Sequence, residues 1–423
     1  MSSHRGAGSS APLFVFFLVN VLNYYDRQVL GAVLEPLRHE FHLSDTELAV
    51  LTTAFTLIYA VAGLPLGRLA DRWSRRWLLA AGVAAWSFLT GLGGLAAGYG
   101  MLLATRLGVG IGEAVCAPAA TSWIGAVVPA ERRTRAMAWF MMAVPVGGLV
   151  SFAVGGPVAQ SCGWRVALLI AALPGAVLAP ALLRLREPAR EPLREGSPAR
   201  PGVLAKMPVF WWIAASGAVV NFMLYSFSVF LAAFLIRYHG LSLARAGLWS
   251  GLGTGAAGIL GAIAAGWAGD RVRGNLARGR LRLAAGAAAL AAPLAWLAIA
   301  APPGSVALGL LLLVAAYGLW QTYYGLVYAA MQDIVPAELR GTAIAAYYLA
   351  MYVCGASFGP LATGRLSDRF AQLARAAGAT SEAARGIGLH QAMYLIPLCS
   401  VLLAGVLLVC ARLARNGVPQ PKF

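Results

Sequence analysis

Twelve apolar runs, each about 20 residues long and separated by charged loops, limit what this chain can fold into. Inside a bilayer every backbone N–H and C=O must find a partner within its own segment, so runs of that length read as helices. The approximate spans are 11–34, 46–67, 77–97, 101–128, 136–158, 164–183, 208–236, 246–268, 283–300, 305–332, 342–364 and 389–411. The chain is 60% hydrophobic and 12% charged, with a mean hydropathy of +0.72. Soluble domains carry roughly 25% charged residues, which argues against a large globular enzyme. The expected fold class is an all-α membrane protein with twelve transmembrane helices.

The net charge of +17 suggests nucleic acid until its placement is considered. With both termini inside, 23 of the 33 Lys and Arg residues fall on the inner side and 8 on the outer, leaving Arg27 and Arg106 within spans. That bias is the positive-inside pattern, so the chain is expected to be a multi-pass protein of the inner (plasma) membrane with both termini cytoplasmic. Nucleic acid is not an expected partner; the bilayer is. The outer stretch 365–388 carries four Arg against this trend. No short segment with a cleavage site precedes the first span, so no removable signal peptide is expected. The cysteines Cys116, Cys162, Cys354, Cys399 and Cys410 have no paired spacing, and the five histidines form no ligand cluster, so neither disulfide framework, metal site nor cofactor is expected.

The long polar interruption Leu185–Met207 follows six spans and precedes six more. It divides the chain into an N-terminal bundle (1–184), a cytoplasmic linker (185–207) and a C-terminal bundle (208–423). The bundles repeat: VPAERRTRAMA at Val128–Ala138 aligns with VPAELRGTAIA at Val335–Ala345, and GRLADR at Gly67–Arg72 with GWAGDR at Gly266–Arg271. Parallel six-helix repeats place a substrate site between halves near the midplane, with transport by their rocking. Glycine clusters at Gly108–Gly112 and Gly251–Gly261 offer faces for close packing. Pro65, Pro118, Pro145 and Pro360 lie inside spans, where proline kinks helices.

Asp26 and Arg27 stand side by side in the first apolar run, LFVFFLVNVLNYYDRQVLGAVL. An ionised side chain near the bilayer centre costs about 2.5–3.5 kcal/mol on insertion scales, so such residues face a partner or an aqueous cavity. At 1.5 Å per residue Asp26 lies about 12 Å from the outer end of its helix, Arg106 about 7–8 Å and Glu113 about 18 Å deep in the fourth. Arg106 and Glu113 are seven residues apart and share a helix face. Two acids and two bases at one depth are formally neutral together. They form a candidate proton-coupling site, with a static ion-pair network as the alternative. In the second half Glu113 aligns with Trp320, Arg106 with Leu313 and Asp26 near Tyr225, so the charges are missing there. That half offers Asn221, Phe222, Tyr225, Phe227, Trp320, Gln321, Tyr324, Tyr328, Tyr347, Tyr348 and Tyr352. With Asn23, Tyr24 and Tyr25, the residues Asn221, Tyr225, Trp320, Gln321, Tyr324 and Tyr348 are the candidate cavity lining for an amphipathic anion.

Between the second and third spans runs Gly67-Arg-Leu-Ala-Asp71-Arg72-Trp-Ser-Arg75-Arg76. It resembles the signature loop Gly-x-x-x-Asp-Arg-x-x-Arg-Arg of the major facilitator superfamily, which implies two pseudo-symmetric six-helix bundles. Gly67, Asp71, Arg72, Arg75 and Arg76, with the weaker echo at Asp270 and Arg271, are then the candidate conformational latch. Asn23-Tyr24-Tyr25-Asp26-Arg27, Phe41-x-Leu43-Ser44-Asp45, Trp86-Ser87-x-x-Thr90, Gly110-x-Gly112-Glu113-Ala114 and Pro145-x-Gly147-Gly148 occur in order. Within the superfamily this is similar to the Spinster family. The resemblance implies a monomeric secondary transporter of lysophospholipids or sphingolipid phosphates, commonly coupled to protons. The alternative is a symporter of a small organic anion or a drug exporter. No nucleotide-binding loop, HExxH pair or nucleophile elbow is present to support an enzyme or an ATP-driven pump.

Overall fold

Helices are the regular structure of this protein throughout the residues described by the computed structural model, 10–187, 202–336 and 339–414. In order they are α1 (Ser10–Ala32), α2 (Leu34–Phe41), α3 (Asp45–Arg72), α4 (Arg75–Gly93), α5 (Tyr99–Glu113), α6 (Cys116–Val127), α7 (Ala130–Cys162), α8 (Trp164–Arg184) and α9 (Gly202–Ala205). They continue with α10 (Pro208–Arg237), α11 (Leu243–Gly251), α12 (Ala257–Asp270), α13 (Leu276–Ala300), α14 (Val306–Ile334), α15 (Arg340–Ala350), α16 (Phe358–Ala376), α17 (Ser381–Met393) and α18 (Leu395–Leu413). Ten segments of the described chain are long and apolar enough to cross a membrane. Of the twelve expected spans, those of α1 and α4 are missing from the ten. Both are long enough, with 23 and 19 residues. Polarity excludes them: Asn20, Asn23, Asp26 and Arg27 dilute α1, and Arg75 and Arg76 open α4.

Helix starts follow their caps. At α3 the Ser44 hydroxyl accepts from the Glu47 amide while the Glu47 carboxylate accepts from the Ser44 amide, a reciprocal capping box. Ser74 caps α4 and Asn275 caps α13 in the simpler one-way form. Gly163 turns the chain from α7 to α8 at φ 87°, a backbone conformation that costs glycine little.

Several expected single helices are interrupted, and proline explains two cases. The expected span 101–128 is two helices, α5 and α6, parted at Ala114–Val115. Pro118 lacks the N–H that would bond the Ala114 carbonyl, and its ring crowds that same carbonyl. The segment expected as 342–364 runs as α15, a π-helical turn at Met351–Ala356 and α16, which continues to Ala376. Pro360 stands four residues after Ala356, and the wide turn is closed by the Ser357 amide donating to the Tyr352 carbonyl at 3.0 Å. A second π turn, Leu252–Ala256, joins α11 to α12 inside the glycine cluster.

The chain forms two compact units. The first gathers α1 to α8 with Ser228–Ile236 and Leu241–Gly255; the second holds the rest of α10, Arg237–Gly240 and everything from Ala256 onward. The C-terminal part of α10 and all of α11 therefore pack with the N-terminal helices. Glycine makes that possible: a Cβ on Gly251 would lie 2.8 Å from the Leu149 carbonyl of α7, and one on Gly247 2.7 Å from that of Phe152. The glycine faces act as packing surfaces, as they do on α5, where a Cβ at Gly110 would lie 2.8 Å from the Phe55 carbonyl of α3. Most of the linker, 188–201, lies outside the described residues.

Candidate functional site

The first unit brings the four expected charges together. Arg27 Nε donates to Glu113 Oε2 at 2.9 Å, across from α1 to the C-terminal end of α5. The side chains are 5% and 0% exposed, so the pair is sealed from solvent. Arg106, 1% exposed, donates through Nη1 to the backbone carbonyl of Asp26 at 3.4 Å. Asp26 is 0% exposed; Glu113, Arg106 and the Trp86 indole are its polar neighbours. Neither of its carboxylate oxygens makes a hydrogen bond of normal geometry. Adjacency in sequence thus misleads about partners: the ion pair of Arg27 is with Glu113.

Two features of this cluster had no signal in the motifs. The Arg27 guanidinium lies over the rings of Tyr59 (4.1 Å), Tyr24 (4.9 Å) and Phe55 (5.6 Å), an aromatic cage to which α3 contributes two rings. Such faces stabilise a cation that has lost its water. Glu113 is also the last residue of α5, directly before the break that Pro118 imposes, so a helix end meets the carboxylate. Phe55 and Tyr59 sit at i and i+4 in the second span, and only knowing which face of α3 meets α1 could have singled them out.

α1 is pinned along its length. Asn20 Nδ2 of α1 donates to the Phe140 carbonyl of α7 at 2.9 Å, and Ser151 Oγ of α7 donates to the Tyr25 carbonyl of α1 at 2.9 Å. A Cβ on Gly147 would meet the Val21 carbonyl at 2.5 Å, so α7 passes α1 at backbone contact. Asn23 (2% exposed) and Tyr25 (8%) are buried with the charges, while Tyr24 is half-buried.

The second unit gathers the expected polar aromatics. Tyr324 OH donates to Asn221 Oδ1 at 3.2 Å, and Gln321 Nε2 to Tyr317 OH at 2.9 Å. Tyr225 and Tyr348 both stack edgewise or tilted against Tyr352, which belongs to the π turn. Tyr348 is 37% exposed and Asn221 is buried. Trp320 departs from the expected lining: it is 1% exposed, and its indole donates to Ser400 Oγ at 2.8 Å, which in turn donates to the Ala288 carbonyl. Its ring therefore faces α18 and α13. The polarity of that indole is consumed inside the bundle, as buried tryptophan requires.

At the loop after α3, the amides of Arg75 and Arg76 donate to the Glu187 carboxylate at 2.8 and 3.3 Å, and Ser74 Oγ donates to it at 2.5 Å. Burial pushes the Glu187 carboxyl up, but these hydrogen bonds outweigh it and hold the group below its ordinary range. Glu187 was not among the expected latch residues. Gly67 is half-buried and Arg72 exposed; the side chain of Asp71 lies outside what is described. Asp270 is exposed, and Arg271 folds back over the Trp267 ring at 3.6 Å.

Comparison with known proteins adds kinship to this geometry. Residues 16–360 match the family described as Major Facilitator Superfamily. A protein of Mycolicibacterium smegmatis described as an MFS-type efflux pump is 34% identical over 369 residues, covering 85% of this chain and 84% of that protein. Human protein spinster homolog 1 is 28% identical over 383 residues, covering 84% of this chain and 72% of its own length. Among solved structures, a bacterial homologue of the human lysosomal transporter Spinster, in an inward-facing and unoccupied conformation, superposes with a TM-score of 0.85. It is 26% identical and covers 98% of this chain and 99% of that one.

Proposed function

The chain belongs to the major facilitator superfamily, within which it resembles the Spinster family, and on that premise we propose a secondary active transporter that moves an amphipathic anion, such as a lysophospholipid or sphingolipid, by proton-coupled alternating access. The observation that carries the proposal is the sealed charge cluster: Asp26 and Glu113 at 0% exposure, inside a transporter fold, with neither Asp26 carboxylate oxygen in a hydrogen bond of normal geometry. Buried carboxylates without full compensation are where proton binding changes an energy balance most. Arg27 and Arg106 set that balance and leave one guanidinium for an anionic head group. Asn23, Tyr24 and Tyr25 of the first unit, and Asn221, Tyr225, Gln321, Tyr324 and Tyr348 of the second, are the residues proposed to offer polar and aromatic surface to the rest of the substrate. Trp320 supports Tyr317 and Phe227 from behind.

The proposed latch is Asp71 with Gly67, Arg72, Arg75 and Arg76, steadied by Glu187. The protein works as a monomer in the inner membrane with both termini cytoplasmic. The similarity to an efflux pump favours a second reading, export of hydrophobic compounds.

Proteoliposome uptake of lysophospholipids, small organic anions and lipophilic dyes, with and without a pH gradient, tests both. Gradient-driven lysolipid transport is expected, and Asp26→Asn and Glu113→Gln are expected to abolish the gradient's effect while exchange survives. Asp71→Asn is expected to slow turnover with expression intact. Wild-type pH dependence in both carboxamide variants would place coupling elsewhere, and transport of dyes alone would favour the exporter.

A further inference from the structure

At one end of the second unit, a groove of about 390 Å³ lies between the end of α12 and the first turns of α13, lined by Ala268, Arg271, Val272, Gly279, Arg282 and Leu283. On α13 the lining residues fall at i, i+3 and i+4, one helix face. Gly279 opens the floor, because a Cβ there would collide with the Val272 side chain. Two arginines and an aliphatic wall share one small space.

The two guanidiniums are differently placed. Arg271 spends one donor on the Trp267 carbonyl at 2.9 Å and lies 3.6 Å over the Trp267 ring. That leaves most of its five N–H donors facing out. Arg282 is exposed and makes no hydrogen bond or ion pair among the described residues. The neighbouring Arg280 is already committed to Asp333 at 2.6 Å. Asp270 is adjacent and exposed but does not line the groove.

The depth narrows the occupant. The groove straddles the ends of two candidate spans, Leu243–Asp270 and Leu276–Ala300, which is head-group level. Trp267, 62% exposed, is placed as an interfacial anchor. A guanidinium pair beside an aliphatic wall at that level matches a molecule with an anionic head and an acyl tail. The face is the one to which the arginine bias assigns the inner leaflet.

We propose that this groove is a binding site for an anionic phospholipid of the surrounding leaflet, its phosphate held by Arg271 and Arg282 and its chain laid along Val272 and Leu283. Basic pockets of this kind between helix ends are suited to acidic head groups. The echo of the signature loop in the second half then serves as a lipid anchor.

Native mass spectrometry of the full chain, equilibrated with phosphatidylglycerol or phosphatidylcholine, tests the proposal. Wild type is expected to retain phosphatidylglycerol in preference, and Arg271→Ala/Arg282→Ala to lose that preference by roughly an order of magnitude. Arg282→Gln removes no contact seen among the described residues, so a partial loss there reports binding and not unfolding. Arg184→Ala/Arg186→Ala removes two charges elsewhere and is expected to leave retention unchanged. Equal retention of both lipids by wild type, unchanged retention in the double variant, or equal loss in the Arg184/Arg186 control would each overturn the site. So would inorganic phosphate displacing the lipid completely.

Discussion

Arg27 pairs across helices and not along its own. Its neighbour in sequence is Asp26, but its hydrogen-bonded partner is Glu113 on another helix. Removing one member of a buried ion pair costs about 3–5 kcal/mol, because the other charge is left unpaired, whereas removing both is often close to neutral. Arg27→Met alone is therefore expected to lower thermal stability in detergent sharply, and Arg27→Met/Glu113→Gln to recover most of the loss. Additive losses in that double-mutant cycle would mean the two groups do not interact in the folded protein. The aromatic cage of Tyr24, Tyr59 and Phe55 keeps some apolar and cation–π contact for Arg27 even when Glu113 is neutralised, so Glu113→Gln is expected to be the milder single variant.

Among elements, α2 ties the end of α1 to the α7–α8 corner. Glu40 accepts from Trp164 Nε1 at 2.6 Å and from Arg165 Nη1 at 2.7 Å, and Arg165 also donates to the Ala96 carbonyl at 3.1 Å. Hydrogen bonds from Arg165 and then Trp164 hold the Glu40 carboxyl below its ordinary range. A depressed folded-state value means that the stabilisation is present above the unfolded value of about 4.3 and disappears as pH falls through the lower folded value. The stability gap between wild type and Glu40→Gln is thus expected to be open at neutral pH and to close in that acid window, read as thermal midpoints from pH 7 downward. The group is exposed, so the gap is small. A gap that stayed constant into strong acid would remove Glu40 as its source.

For the whole molecule, the repeat and the charge bias predict both termini and the linker on one side of the membrane. A single cysteine placed at Gly196, and another near Phe423, are expected to react with impermeant thiol reagents only from the cytoplasmic side. Labelling of either from outside would reverse the topology. The contact-defined units cut across the sequence repeat, since Ser228–Ile236 and Leu241–Gly255 join the first unit.

Local physics carried the sequence reading as far as it went. Run length and polarity pattern define membrane helices because a bilayer leaves the backbone no other solution. Charge placement gives an expected orientation, and an isolated charge at depth marks itself because its burial is costly. The helix breaks were half legible: Pro118 and Pro360 were visible as kinks, but a split helix and a π turn are two outcomes of the same missing N–H, and neighbouring packing selects between them. What remained for the tertiary structure was partnership. Which acid meets Arg27, which rings cage it, why Trp320 turns to Ser400 and why Glu187 reaches the start of α4 all depend on helix rotation and on where glycines let backbones touch. The hydrogen bonds among those contacts join residues 80 or more positions apart. Sequence periodicity indicates which face of a helix is buried, but it holds no record of what that face is buried against.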